Sequence, residues 1–172
     1  MKLDLGWGGT THDDYEDYET VDLDPSVSPD HVVDLAVYPW PWPNDSVTAA
    51  YSSHLVEHIV DLVGFMRELY RVMKDGAEVV IRHPYQFHVS AWQDPTHVRA
   101  LNEISWFYYD KRQDISGRAD FDGIDFEVTN IEAIPDPAWA RMADEHHEEF
   151  ERAAKTMNNV VFELIVTLTC VK

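Results

Sequence analysis

The spacing of apolar side chains predicts a short opening strand, Lys2-Leu3-Asp4-Leu5, that runs straight into a glycine turn, Gly6-Trp7-Gly8-Gly9. Glycine accepts positive φ and lets another group come close to the backbone, where a Cβ would collide with it. Two further apolar-acidic runs follow, Thr20-Val21-Asp22-Leu23-Asp24-Pro25 and Asp30-His31-Val32-Val33-Asp34-Leu35, each offering an acid at the end of a strand. Between the first two strands, Thr10 to Glu19 is too short and polar for the loop and full helix that usually join parallel strands. A loop or a single helical turn is expected there. Alternating prolines from Tyr38 to Ser46 exclude regular structure, and the tryptophans among them are expected to pack as a plug on the sheet edge. Val47 to Ser52 is short and apolar enough for a fourth strand buried on both faces.

The clearest helical pattern comes next. Ile59, Leu62, Val63, Met66, Leu69, Tyr70 and Met73 recur at 3.6-residue spacing, with Asp61, Arg67, Glu68, Arg71 and Lys74 on the other face. Arg71 and Lys74 suit the negative C-terminal end of that helix, and Gly76 is its expected stop. Ala77 to Arg82 follows at once as a fifth strand, so this strand–helix–strand unit implies a parallel pair with a right-handed crossover. Residues 83–120 leave the sheet on an excursion crowded with rings, and a helix is expected from Leu101 to Tyr109 behind an Asn102 cap. Phe126 to Ile134 alternates as a sixth strand. Trp139 to Met157 reads as one amphipathic helix, and Val160 to Val171 closes the chain as a seventh strand. The pattern is α/β, and 172 residues suit one domain spanning 1–172.

Composition narrows the function. A chain that is 45% hydrophobic and 12% aromatic folds around a core. Its net charge of −19 repels nucleic-acid phosphates and anionic lipid, and the cations form no basic stripe. Long nucleic acid is therefore not an expected partner, although the acid surface could itself mimic one. No apolar run approaches the ~20 residues of a membrane span, and the charged start is no signal peptide. The single cysteine, Cys170, cannot form an internal disulfide; it suits a cytoplasmic setting and reads as a buried, inert thiol.

A glycine turn after one strand and an acid after the next make a nucleoside-binding pair, the acid accepting from ribose hydroxyls. Together with Asp34, the Trp-Pro loop, Tyr51-Ser52-Ser53-His54-Leu55-Val56-Glu57-His58-Ile59, Lys74-Asp75-Gly76 and Asp94-Pro95-Thr96-His97, the order resembles the compact class I S-adenosylmethionine-dependent methyltransferases. The likeness runs over roughly residues 2 to 110. It implies a Rossmann-like, mostly parallel seven-stranded sheet with an antiparallel last strand and a reduced first helix. It also implies S-adenosylmethionine as cofactor. Gly6 and Gly8 would make room for its methionine part, with Asp4 in the motif's acidic place and Leu5 and Trp7 within the turn segment. Asp22 and Leu23 would meet the ribose, Asp34 and Leu35 the adenine, and Ser53 and His54 the amino acid and reacting methyl. Thr10 stands where the motif has its third glycine.

Methyl transfer from a sulfonium needs alignment above all, and a hydroxyl or amine acceptor also needs a base for its proton. Candidates beyond the fifth strand are His83, Tyr85, His88, Asp94 and His97, on the side where ligands bind in open α/β sheets. His83, His88, Asp94 and His97 match no strong metal motif and lack a cysteine partner, so no metal is assigned. His58 reads as structural. The expected function is methyl transfer to a small acceptor, with a second copy, in a homodimer, or another partner expected to cover the cofactor side. The competing readings are a non-catalytic acidic module that occupies a partner's nucleic-acid site, and an enzyme of this fold that uses the cofactor differently.

Overall fold

The computed structural model describes residues 1–10, 13–113, 115 and 121–172; part of the Thr10–Glu19 crossover and the end of the 83–120 excursion lie outside them. Seven strands make one sheet: β1 (Lys2–Leu5), β2 (Glu19–Asp22), β3 (His31–Val32), β4 (Val47–Ser53), β5 (Met73–Pro84), β6 (Phe126–Pro135) and β7 (Val161–Cys170). Their order is β3-β2-β1-β4-β5-β7-β6. The first five are mutually parallel, and β7 runs antiparallel between β5 and β6. This is the expected Rossmann-like α/β sheet with its reversed last strand.

Alternation along the strands explains how the sheet is covered. Leu3, Leu5, Ala50, Val79, Ile81, Val166 and Leu168 are buried almost without exposure. Helix α1 (Leu62–Val72) supplies Leu62, Phe65, Met66, Leu69 and Val72 to the same core. The alternate positions are wetter: Val80, Arg82, Ile165, Thr167 and Thr169 are half-exposed and Glu78 is exposed. A full first helix would have covered that second face. Instead the described residues of the crossover hold one 3-10 turn, Asp13–Tyr15, and Tyr15 stacks on Tyr51 with ring centroids 3.8 Å apart. β4 accordingly is buried on both faces only from Ala50 to Ser52, while Thr48 is exposed and Ala49 half-buried.

Three expectations about helices are corrected. Asp61 belongs to no helical face; it caps α1, accepting from the Gly64 N–H at 2.9 Å. The helix stops at Val72, short of Gly76, because Met73 already pairs with Val47 and the chain runs straight into β5. Gly76, at φ 72, instead turns the backbone within the early part of that strand. The stretch from Trp139 to Met157 is two helices, α4 (Ala140–Glu145) and α5 (His147–Thr156), broken where His146 takes φ −140 and ψ 58. In the excursion, α2 (Ser90–Gln93) was not legible from spacing. α3 (Glu103–Phe107) does start behind Asn102, which accepts from Ser105 N–H at 3.1 Å in a reciprocal cap.

The tryptophan plug lies between the edge strand and α1. Trp40 packs edge-on against Phe65, and Trp42 edge-on against Trp40 and His31 of β3. Glu68 was expected on the solvent face but is buried, because the plug closes over it. Its Oε1 accepts from the Trp40 N–H at 2.6 Å, and Arg71 pairs with both carboxylate oxygens. Among the described residues, no helix is long and apolar enough to cross a membrane.

Candidate functional site

The tips of β1 and β2 and the chain after β3 and β4 enclose a crevice of about 240 Å³. Gly6, Asp22, Leu23, Asp34 and Leu35, all named from sequence, line it together. Val33, Ala36, Leu55 and Ile59 complete the wall; Ile59, expected on the apolar face of the helix, lies ahead of α1 and lines the crevice instead. The volume falls just below the roughly 300–1,000 Å³ of ordinary ligand pockets, enough for part of a nucleotide-sized molecule and not all of one.

Asp22 organises the glycine turn. Its Oδ2 accepts from the Gly8 N–H and its Oδ1 from the Asp24 N–H, both at 2.8 Å. The turn closes on β2 through Gly6 N–H and Trp7 N–H, which both donate to the Val21 carbonyl. Gly6, Gly8 and Gly9 all have positive φ. A Cβ on Gly8 would meet nothing nearer than 3.9 Å, so the backbone there is open to an approaching group. Gly6 differs: a Cβ there would lie 3.0 to 3.2 Å from three carbons of Leu55. The space that the first glycine clears is taken by this chain's own side chain.

The remaining cofactor candidates lie outside the crevice wall. Leu5 is sealed in the core, and Trp7 is half-buried beside the turn. Asp4 points to the other face of β1, is 4% exposed, and accepts no hydrogen bond from a described residue. Burial pushes its carboxyl up to about 6. A carboxyl raised in the fold favours folding most below its unfolded value, and that advantage is lost as pH rises through about 6. Asp4→Asn is therefore expected to stabilise the protein by about 1–2 kcal/mol at pH 7.5. Urea unfolding should show that gain shrinking steadily as the pH falls toward 4.

Ser53 is half-buried at the end of β4, and His54 follows at φ 51. The His54 ring spans two buried carboxylates, Glu57 Oε1 at 3.2 Å and Glu163 Oε2 at 3.1 Å. Those hydrogen bonds, to Glu163 first and Glu57 next, raise the imidazole to about 9, so it is a cation at neutral pH. Arg82 also pairs with Glu163. Burial alone would push Glu163 up, but His54 and Arg82 hold it below the usual carboxylate range.

The five proton-transfer candidates are not brought together. His83 is fully buried: its Nδ1–H donates to the Pro84 carbonyl at 2.9 Å, and its Nε2 accepts from Trp106 Nε1–H at 3.0 Å. Desolvation drops it to about 4. It is a neutral core histidine. His88 is held between Ser90 and Asp136. Tyr85 lines a separate cavity against α5. Asp94 and His97 alone reach the loop after β4, through Thr96 and His58. Cys170 is buried and its thiol is pushed up to about 11 by desolvation, consistent with an inert group.

A family model described as a methyltransferase domain matches residues 5–81. No curated protein sequence matches the chain. Among solved structures, a SAM-dependent methyltransferase from Archaeoglobus fulgidus is 17% identical, with a TM-score of 0.69 over 98% of this chain and 85% of that one. A methyltransferase in complex with the Haloferax volcanii Trm112 methyltransferase activator is 16% identical, with a TM-score of 0.65 over 99% and 82%. The [4+2]-cyclase SpnF is 15% identical, with a TM-score of 0.61 over 99% and 74%. At these identities the neighbours speak for the fold.

Proposed function

We propose that this chain, which has the class I methyltransferase fold and matches a methyltransferase-domain model over residues 5–81, uses S-adenosylmethionine to methylate a small acceptor. The observation that carries this reading is the crevice in which Gly6, Asp22, Asp34 and Leu35 meet. A nucleoside fits those residues. Asp22 still has lone pairs free beyond its two backbone donors and would accept from the ribose hydroxyls. Val33, Leu35, Ala36 and Ile59 offer apolar walls to an adenine. The methionine part would lie over Gly8, where no Cβ obstructs it. Bound there, the cofactor supplies an electrophilic methyl group on a sulfonium.

The chain's own part is alignment and proton handling. His54, already protonated, donates and does not serve as base. His83 is sealed from any acceptor. Asp94 and His97, half-exposed beside the same loop, are the residues we assign to the acceptor's proton. The likeness to the Haloferax volcanii methyltransferase seen with its activator supports a partner, or a second copy, on the face that the reduced first helix leaves wet. We place the enzyme in the cytoplasm. The likeness to a [4+2]-cyclase keeps chemistry other than methyl transfer as a second outcome, which product analysis separates.

Titration with S-adenosylhomocysteine tests the reading. Micromolar binding supports it, and no binding at millimolar ligand points to the acidic binding module. Leu55→Ala refines the test. Removing the branched end that stands over Gly6 is expected to tighten S-adenosylhomocysteine binding about threefold by isothermal titration calorimetry, at about 1 kcal/mol of stability. Weaker binding in this variant would make Leu55 a ligand contact instead of an obstruction.

A further inference from the structure

Beside the crevice, Glu57, His58 and His97 each bring one metal-ligating atom to within 4.8 Å of the other two. We propose that these three residues bind a divalent transition-metal cation, a site for which the sequence offered no motif. The set differs from the His83, His88, Asp94 and His97 combination considered from sequence, which the fold scatters.

Two independent observations point to an ion. The first is Glu57, which is 2% exposed. Its Oε1 accepts from His54, but its Oε2 is buried with no hydrogen-bond partner. A buried carboxylate oxygen left without a donor is costly, and a cation is the natural group to satisfy it.

The second is the hydrogen bonding of the two rings. Thr96 Oγ1 gives its own proton to Asp94 Oδ1 at 2.6 Å, so it accepts from His58 Nδ1–H at 3.0 Å. The His97 Nδ1–H donates to the Ala91 carbonyl at 3.2 Å. Both hydrogen bonds fix the tautomer and leave Nε2 as the lone-pair atom on each ring. Metal-bound histidines are held in this way, by an outer partner on the second nitrogen. The rings meet edge to face with centroids 4.6 Å apart. With a lone pair on each ring and a carboxylate oxygen within 4.8 Å of one another, the three residues form a ligand set that a cation would satisfy.

One carboxylate and two imidazoles suit zinc, or the other divalent ions of the late first row. Bonds of about 2.0–2.2 Å would draw the three atoms to about 3.3 Å from one another, a movement within the reach of side-chain rotation. The Val98 N–H donates to the Glu57 carbonyl at 2.9 Å, which ties the loop carrying His97 to the loop carrying Glu57 and His58. His58 and His97 are half-exposed, so coordination positions stay open to an oxygen from outside. Leu55 and Ile59, which flank this pair in sequence, line the crevice. An acceptor hydroxyl on such an ion would lose its proton more easily, and with the ion on Nε2 His97 has no lone pair left to act as base, so the proton would pass to Asp94.

The test is direct metal binding by the full chain, independent of methyl transfer and of S-adenosylhomocysteine. Metal-free protein is titrated with Co2+ while its visible d–d absorption is followed, and Zn2+ is then added in competition. The expected result is saturation at one Co2+ per chain and displacement by Zn2+. At least tenfold weaker binding is expected in His97→Gln and in Glu57→Gln. Zn2+ should also raise the Tm of the parent protein and leave that of His97→Gln unchanged, with the metal-free melting curves showing that both are folded. Unsaturable binding, or equal binding by parent and His97→Gln, would overturn the site and assign the uptake to other surface histidines.

Discussion

Asp22→Ala should weaken S-adenosylhomocysteine binding by about 30- to 100-fold while lowering Tm by only a few degrees. The binding loss follows from removing a carboxylate that would accept from both ribose hydroxyls, at about 1.5–3 kcal/mol for hydrogen bonds to a charged group. The small stability loss follows from what Asp22 now holds. Its two donors, the N–H groups of Gly8 and Asp24, belong to exposed residues, so water replaces the carboxylate when it is gone. Asp22→Asn separates charge from shape. It keeps one accepting oxygen but turns an amide toward one of the two N–H donors, so it should bind between the parent and the alanine variant. Isothermal titration of all three proteins decides the matter. Equal affinities would mean that no ribose lies at the tips of β1 and β2.

The largest effect on stability is expected at the far end of β5. Trp106 is fully buried in α3, with its ring 5.3 Å from that of His83 and its indole N–H on His83 Nε2. Trp106→Ala leaves a cavity and strands that nitrogen, so it should destabilise the protein by about 3–5 kcal/mol. In a chain of this size that lowers Tm by about 10 °C. Trp106→Phe fills most of the volume but still abandons the hydrogen bond, at about 1–3 kcal/mol. Thermal melts of the two variants separate volume from hydrogen bonding. A loss below 1 kcal/mol in the alanine variant would show that the excursion after β5 does not depend on this contact.

These two residues also show where sequence reasoning reached and where it stopped. Asp22 was legible because its signal is local. A strand ending on an acid, one strand after a glycine turn, needs only neighbours along the chain to define it. The strands were legible for the same reason, since a period of two or 3.6 reports which side of a segment is dry. Asn102 capped its helix as read, because a cap acts within three residues.

Other features depend on which segments the fold brings side by side. Glu68 has the spacing of a solvent-face residue, and only the tryptophan plug folding over α1 buries it and hands it the Trp40 N–H. His83 has the position of a catalytic base, but Trp106, 23 residues later, claims its Nε2 and sets it in the core. Helix α1 was bounded by β-pairing, since Met73 joined Val47 before Gly76 could act as a stop.

The periodicity of the chain thus determined that a parallel sheet would form, and its glycine and acidic residues marked the crevice at the tips of β1 and β2. Tertiary structure decided which of the many histidines and carboxylates meet. Glu57 and His58 lie about 40 positions from His97, a separation that no periodicity spans. A side chain's protonation, burial and partners depend on the local dielectric and on neighbours brought from elsewhere in the chain. Those are properties of the packed molecule, and they set the chemistry of Glu57, His58 and His97.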